Sequence, residues 1–358
     1  HILGWSRARL AGPASLLTVL LLATACGGGG GAEEAAEGGA GAETATGGPA
    51  ASFEGETIRF IVSFGTGGGY DLIARTIAPF LEEELGATVV VENEDGAGGL
   101  VAANQVFTAE PDGLTIGFFS GQGIAGASIG EAEGVQFDLL EFSYVARLAA
   151  DPRVLSVGAQ TEYETIDDVR AAEIFRFASS GPGGSEHIDA TVLFPVLGID
   201  GEIITGYEGS AETELAVTSG DTDATSGTLS TRLPPISGGD HRGVLIIGEE
   251  RVDELPDVPA LLELDLDSED MALAEAHTAL QDMGRMVWSP PGVPADRLAA
   301  LEQGFKAASE NPDFLEEMEK AGQPLDFLSG EEAKQVAQSV LDAPDQYASL
   351  LQRAFQGQ

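Results

Sequence analysis

Lysine is almost missing from this 358-residue chain: Lys306, Lys320 and Lys334 are the only three, all in its last fifth. Lysine and arginine together number 17 against 59 aspartates and glutamates, a formal net charge of −42. Nucleic acid and anionic membrane surfaces are therefore poor partners, since both are gripped by cationic patches. Cysteine occurs once, at Cys26, so no disulfide can staple the fold. The four histidines, His1, His187, His241 and His277, show no ligand spacing, and neither a metal nor a cofactor is expected. Long apolar runs are also missing. The run at residues 16–23 is too short to span a bilayer.

That short run has its own meaning. Arg7 and Arg9 precede it and the small residues Thr24 and Ala25 end it, the pattern of a signal peptide over residues 1–25. Leu22-Ala23-Thr24-Ala25 before Cys26 resembles a bacterial lipobox, with Ala23 in place of the customary leucine. The expectation is an extracytoplasmic lipoprotein, lipidated at Cys26 and held at the membrane in the periplasm or on the outer cell face. Residues 27–52 are almost entirely Gly, Ala, Glu and Thr without apolar periodicity, which predicts a disordered tether. The remainder, about 300 residues, exceeds the usual size of one core, so two lobes are expected.

What the chain has in plenty is glycine, 48 residues, and its placement is informative. A β-rich run at 58–64 feeds the loop Gly65-Thr66-Gly67-Gly68-Gly69, which opens into an amphipathic stretch at Asp71. The run at 89–91 repeats the plan, with Gly96, Gly98 and Gly99 before a helical pattern starting at Leu100. Backbone amides at helix N-termini carry partial positive charge, so two such turns can converge on one anion.

Strand-like and helix-like runs alternate along the chain, which predicts an α/β fold with largely parallel sheets. Leu72, Ile73, Ile77, Phe80, Leu81 and Leu85 form one apolar stripe, with Asp71 as N-cap, Gly86 as stop, and a kink or restart at Pro79. Further helices are predicted at 100–109, 165–172, 188–197 and from 210, and strands at 114–119, 174–178, 202–205 and 244–247. Residues 120–123 read as a polar loop. Helical patterns at 295–308, 312–321 and 331–355 are expected to pack on the first lobe.

Several short motifs then fall into register: Ile58-Arg59-Phe60-Ile61-Val62; Gly67-Gly68-Gly69-Tyr70-Asp71 with Ala74-Arg75; Val89-Val90-Val91-Glu92-Asn93 running into Gly96-Ala97-Gly98-Gly99. Pro111-Asp112-Gly113, Ser180-Gly181-Pro182-Gly183-Gly184-Ser185 with His187, Leu255-Pro256-Asp257-Val258-Pro259 and Pro290-Pro291-Gly292-Val293-Pro294 follow in order. From about residue 53 onward the chain resembles the substrate-binding proteins of tripartite tricarboxylate transporters. The resemblance implies a periplasmic-binding-protein fold, type II-like, with two lobes of mostly parallel sheet joined by two crossover strands. Lobe 1 would comprise 53–149 and 286–358, and lobe 2 150–285. It also implies a monomer that closes like a Venus flytrap on a small organic carboxylate, a di- or tricarboxylate, aromatic acid or amino acid. The closed form would be delivered to the small and large permease subunits, without chemistry on the ligand.

On this reading Thr66, Gly67, Gly68, Tyr70, Asp71 and Ser120 from one lobe, with Ser180, Gly183, Ser185, His187 and Tyr207 from the other, hold the ligand. Glycine amides and hydroxyls would donate to carboxylate oxygens, with Asp71 fixing its loop. Glu208, where many family members carry Lys or Arg, either faces solvent or greets an ammonium group. Trp288 is placed at the second crossover, where its fluorescence would follow closure.

Rival readings carry less. Gly65-Thr66-Gly67-Gly68-Gly69-Tyr70 lacks the last glycine of a dinucleotide fingerprint, and no P-loop is present. Ser180 and His187 evoke a secreted hydrolase, but no G-x-S-x-G elbow surrounds Ser180. A sensor that presents its closed form to a receptor needs the same cleft as a transport protein.

Overall fold

The computed structural model describes residues 53–356. The signal peptide, Cys26 and the tether of the sequence reading lie outside the described residues. Strand β1 (Thr57–Val62) has Ile58, Phe60, Ile61 and Val62 fully buried, as expected of a strand covered on both faces. It pairs in parallel with β2 (Thr88–Asn93) and β3 (Thr115–Ser120), connected by α1 (Gly69–Leu85) and α2 (Leu100–Phe107). Pro79 does not restart α1, which runs unbroken to a left-handed Gly86. After β3 come α3 (Gly121–Ile129) and β4 (Ser143–Ala149).

Only Ala150, Asp151 and Pro152 separate β4 from β5 (Arg153–Gly158), which belongs to a different sheet. Then follow α4 (Ile166–Arg170), β6 (Phe175–Ala178), α5 (Ser185–Leu197), β7 (Gly201–Ile204), α6 (Ser210–Ser219), β8 (Ala224–Thr228), α7 (Leu229–Gly238), β9 (His241–Ile247) and α8 (Ser268–Asp282). The chain returns through β10 (Arg285–Ser289) and ends with α9 (Ala295–Glu310), α10 (Pro312–Lys320), β11 (Leu328–Ser329), α11 (Gly330–Leu341) and α12 (Asp345–Gln356).

The first sheet has the order β11-β4-β10-β3-β1-β2 and the second β7-β6-β8-β5-β9. Parallel pairing holds for β1 with β2 and β3, and for β6 with β7 and β8. The pairs made by β4, β5, β9, β10 and β11 within each sheet are antiparallel, because a chain that leaves one sheet and later returns to it must run back through it. At the return, Gly284 takes φ +53° with its α-carbon so close to β4 that an added Cβ would stand 2.2 Å from the Ala149 carbonyl oxygen.

An apolar cluster extends from Phe119 and Trp288 on the first sheet through Leu280 and Leu351 to Leu193 and Phe175 on the second. Pro344 interrupts the expected helix at 331–355, giving α11 and α12. The placement of this segment also differs from expectation. α12 packs on α5 of the second lobe as well as on α3, so it spans both lobes. Among the described residues, no helix is long and apolar enough to cross a membrane.

Candidate functional site

The C-terminal ends of β1 and β3 and the N-termini of α5 and α7 face one another across a cleft of about 240 Å³. The six-stranded sheet and its loops line it with Phe64, Tyr70, Ser120, Gln122 and Arg285, and the five-stranded sheet and its helices with Arg153, Ser185 and Thr228. Asp151 and Gln281 stand at the two crossings.

Tyr70 is the aromatic wall. Its ring packs against Phe64 at 4.5 Å and Phe118 at 5.0 Å between centroids, and the Arg285 guanidinium carbon lies 5.2 Å from its centroid. Burial pushes the Tyr70 hydroxyl up in pKa, opposed by the Arg285 charge and by contact with Ser120. Arg285 donates to Gln323 Oε1 at 2.7 Å and, among the described residues, pairs with no carboxylate. Arg153 differs: its Nε donates to the buried Asp189 at 2.7 Å and its Nη2 to Ser226. The two cleft cations are therefore inequivalent, one neutralised by its own lobe and one not.

The glycine loop ahead of α1 is shaped by Asp71. Its Oδ2 accepts from the Gly67 amide at 2.9 Å, and its Oδ1 accepts from Arg75 Nε and Asn93 Nδ2. Burial pushes this carboxyl up, but the Gly67 amide, Asn93 and Arg75 outweigh it and hold it below the usual carboxylate value. The residue preceding the helix is Gly68, not Asp71; Asp71 sits in the first turn and braces the loop from there. Gly67, at φ +85°, points its amide to Asp71 and so does not present it to a ligand. Thr66 and Gly68 remain exposed on this loop.

Of the other expected contacts, Tyr70, Ser120 and Ser185 line the cleft together. Ser120 caps α3, its Oγ accepting from the Gly123 amide at 3.2 Å. Residues 120–123 are thus a helix start rather than a polar loop. Gly183 turns away: its amide donates to the Ala354 carbonyl at 3.1 Å. Ser180 Oγ donates to Glu186 at 3.3 Å, whereas the buried His187 places Nδ1 3.3 Å from Ser179 Oγ. Ser180 and His187 therefore form no nucleophile–base pair. Tyr207 packs on Ala178, Ala216 and Val217, outside the cleft lining. Glu208 is exposed.

Arg153, Arg285, Gln122, Gln281 and Thr228 were not among the residues expected from sequence. Arg285 stands one residue before the predicted second crossover at 286, which was a usable signal. A cation beside the crossover of a lysine-poor chain is a natural ligand contact. Trp288 is not at the hinge. It is fully buried in the first lobe, stacked on Phe119 at 5.0 Å and Phe142 at 5.1 Å.

Two lobes of α/β sheet joined by paired crossings, with a polar cleft between them, define the architecture of a periplasmic binding protein. The family model described as the tripartite tricarboxylate transporter family receptor, TctC, matches residues 73–354, and the chain belongs to that family. A UPF0065 protein of Bordetella pertussis is 29% identical over 280 residues, covering 76% of this chain and 82% of the relative. BugT of the same organism is 27% identical over 232 residues, covering 62% and 71%. A TctC solute-binding protein from Polaromonas superposes with a TM-score of 0.68 at 19% identity, covering 83% of this chain and 98% of that one. MatC from Rhodopseudomonas palustris, solved with bound malate, superposes at 0.60 with 22% identity, covering 83% and 99%. At these identities the structural matches speak for the fold.

Proposed function

We propose that the protein is an extracytoplasmic solute receptor that captures a small organic carboxylate between its lobes and delivers it, unchanged, to the membrane subunits of a tripartite tricarboxylate-type transporter. The observation that carries this reading is Arg285, a cleft cation without a carboxylate partner among the described residues, set over Tyr70. An unpaired cation in a half-buried site is costly unless an anion joins it. The malate-bound MatC structure and an R. palustris protein solved with adipate, 20% identical with a TM-score of 0.61, support an organic acid as the anion.

In this proposal the Tyr70, Ser120 and Ser185 hydroxyls and the Gln122 amide contact the ligand in the open cleft. Closure brings the exposed Thr66–Gly68 loop and Ser180 toward it. The lobes are residues 53–149 with 286–358 and residues 150–285, moving about the crossings beside Asp151 and Gly284. Cys26 is the lipid anchor and the receptor acts as a monomer. Glu208 faces solvent in the bound state too.

A thermal-shift panel of organic acids tests the reading. A ligand at a hundredfold excess over its Kd adds about 2.7 kcal/mol of stability. Arg285→Gln should abolish the shift. If no organic acid raises Tm, the proposal fails.

A further inference from the structure

We infer that the ligand has a single acidic group and an apolar body that lies outside the polar cleft, in a groove between α7 and α10. This rests on the cleft being the ligand site.

The first observation is the charge count. Of the two arginines that line the cleft, Arg153 is already neutralised by Asp189, and both members of that ion pair are buried. Arg285 alone has no carboxylate partner among the described residues. One uncompensated cation balances one anionic group. A second carboxylate would meet no free cation and would approach Asp151.

The second observation is a neighbouring groove of about 670 Å³. Leu229, Leu233 and Val252 line it from the second lobe and Leu315, Met318 and Leu325 from the first. Asp151 lines both groove and cleft, and Gln323, in the groove wall, accepts the hydrogen bond from Arg285. The anion-receptive guanidinium therefore stands where the two hollows meet. Around the groove, Asp151, Asp253, Glu254 and Glu319 are all acidic. An apolar body is accepted there by burial against leucine and methionine, and a distal carboxylate is repelled. A groove with walls from both lobes also ties recognition of the body to the relative position of the lobes.

The test compares hexanoate with adipate, two six-carbon chains differing in one carboxylate, and extends to octanoate, 3-phenylpropanoate and succinate, by calorimetric titration of the full chain. The expected result is hexanoate at least tenfold tighter than adipate, with about fourfold gained per methylene from hexanoate to octanoate, the worth of a buried CH₂. Leu315→Glu, at an exposed position that tolerates charge, should weaken octanoate and 3-phenylpropanoate tenfold or more while leaving Tm without ligand near that of the parent, and Leu233→Glu, at a position packed against the small cluster of Val154, Leu229 and Ile246, should weaken the same two acids at some cost in Tm. Arg285→Gln should weaken every acid. Adipate or succinate binding as tightly as hexanoate, or octanoate indifferent to both glutamate variants, overturns the inference and leaves the receptor reading intact. No binding by any acid overturns both.

Discussion

Arg153 Nε and Asp189 Oδ2 lie 2.7 Å apart, and the pair, both members buried, ties the first strand of the second lobe to α5. Asp189 also accepts from Ser226 Oγ and Gln281 Nε2, and its Oδ1 lies 3.2 Å from His277 Nε2. His277 in turn places Nδ1 3.1 Å from the Tyr347 hydroxyl on α12. Burial pushes the Asp189 carboxyl up, but Arg153, His277 and Ser226 overcome it and hold it low. Asp189→Ala leaves the buried guanidinium alone and should cost about 3–5 kcal/mol in urea denaturation. The double change Arg153→Met with Asp189→Leu should cost less than Asp189→Ala, because no buried charge is left. A double variant less stable than the single one refutes this account.

Asp71 should matter more to binding than to folding. Asp71→Ala removes three hydrogen bonds that hold the Gly67 loop to α1 and β2, a loss of about 1–3 kcal/mol in stability. Its effect on ligand affinity should exceed tenfold, since the loop then samples other conformations. Because the folded carboxyl titrates below its ordinary value of 3.8, its contribution is complete at neutral pH and is lost only as pH falls through that lowered value. Parent and variant should therefore keep a constant difference in stability from pH 7 to pH 5, readable from parallel melts.

Acidification from neutral pH should weaken the fold through buried imidazoles. Burial pushes His187 below its ordinary value of 6.5, opposed only by Glu186, and burial likewise lowers His241, helped by Arg232. The unfolded chain then binds more protons than the folded one just below pH 6.5, so stability falls as pH drops through that window. His187→Gln should show a smaller drop in Tm between pH 7.5 and 5.5 than the parent. An equal drop would remove His187 from the account.

Trp288 should be silent. It is fully buried and stacked between aromatic rings of one lobe. In a chain carrying Trp5→Phe, its emission should be blue-shifted, insensitive to iodide, and unchanged on titration with a bound ligand. A ligand-dependent change would mean that the first-lobe core itself rearranges.

Gly284→Ala should prevent folding or lower Tm steeply. The added Cβ meets backbone at 2.2 Å where neither strand can retreat without breaking the pairing of β10 with β4, and φ +53° disfavours any side chain.

Much of the fold was legible where local physics agreed with the final structure. The stripe from Ile73 to Leu81, the left-handed Gly86, and the apolar, buried Ile58, Phe60, Ile61 and Val62 each declare their element within a few residues. α3 did not. Its sequence, GQGIAGASI, has the propensity of a loop, and it is helical because small residues allow close approach: the α-carbons of Gly126 and Gly130 lie under Phe355 of α12. α7, with Pro234 and Pro235 inside it, was hidden for a similar reason.

By itself the sequence determined the alternation of strands and helices, the two glycine turns and the family, because periodicity, capping and glycine placement act over a few residues. Tertiary structure alone decided which groups face the ligand. Gly67 and Gly183 spend their amides on Asp71 and Ala354, and Arg153 is matched by an aspartate 36 positions away. Arg285 is left unpaired at the meeting of two hollows, for whether a charge finds a partner depends on which distant segments the crossings bring beside it.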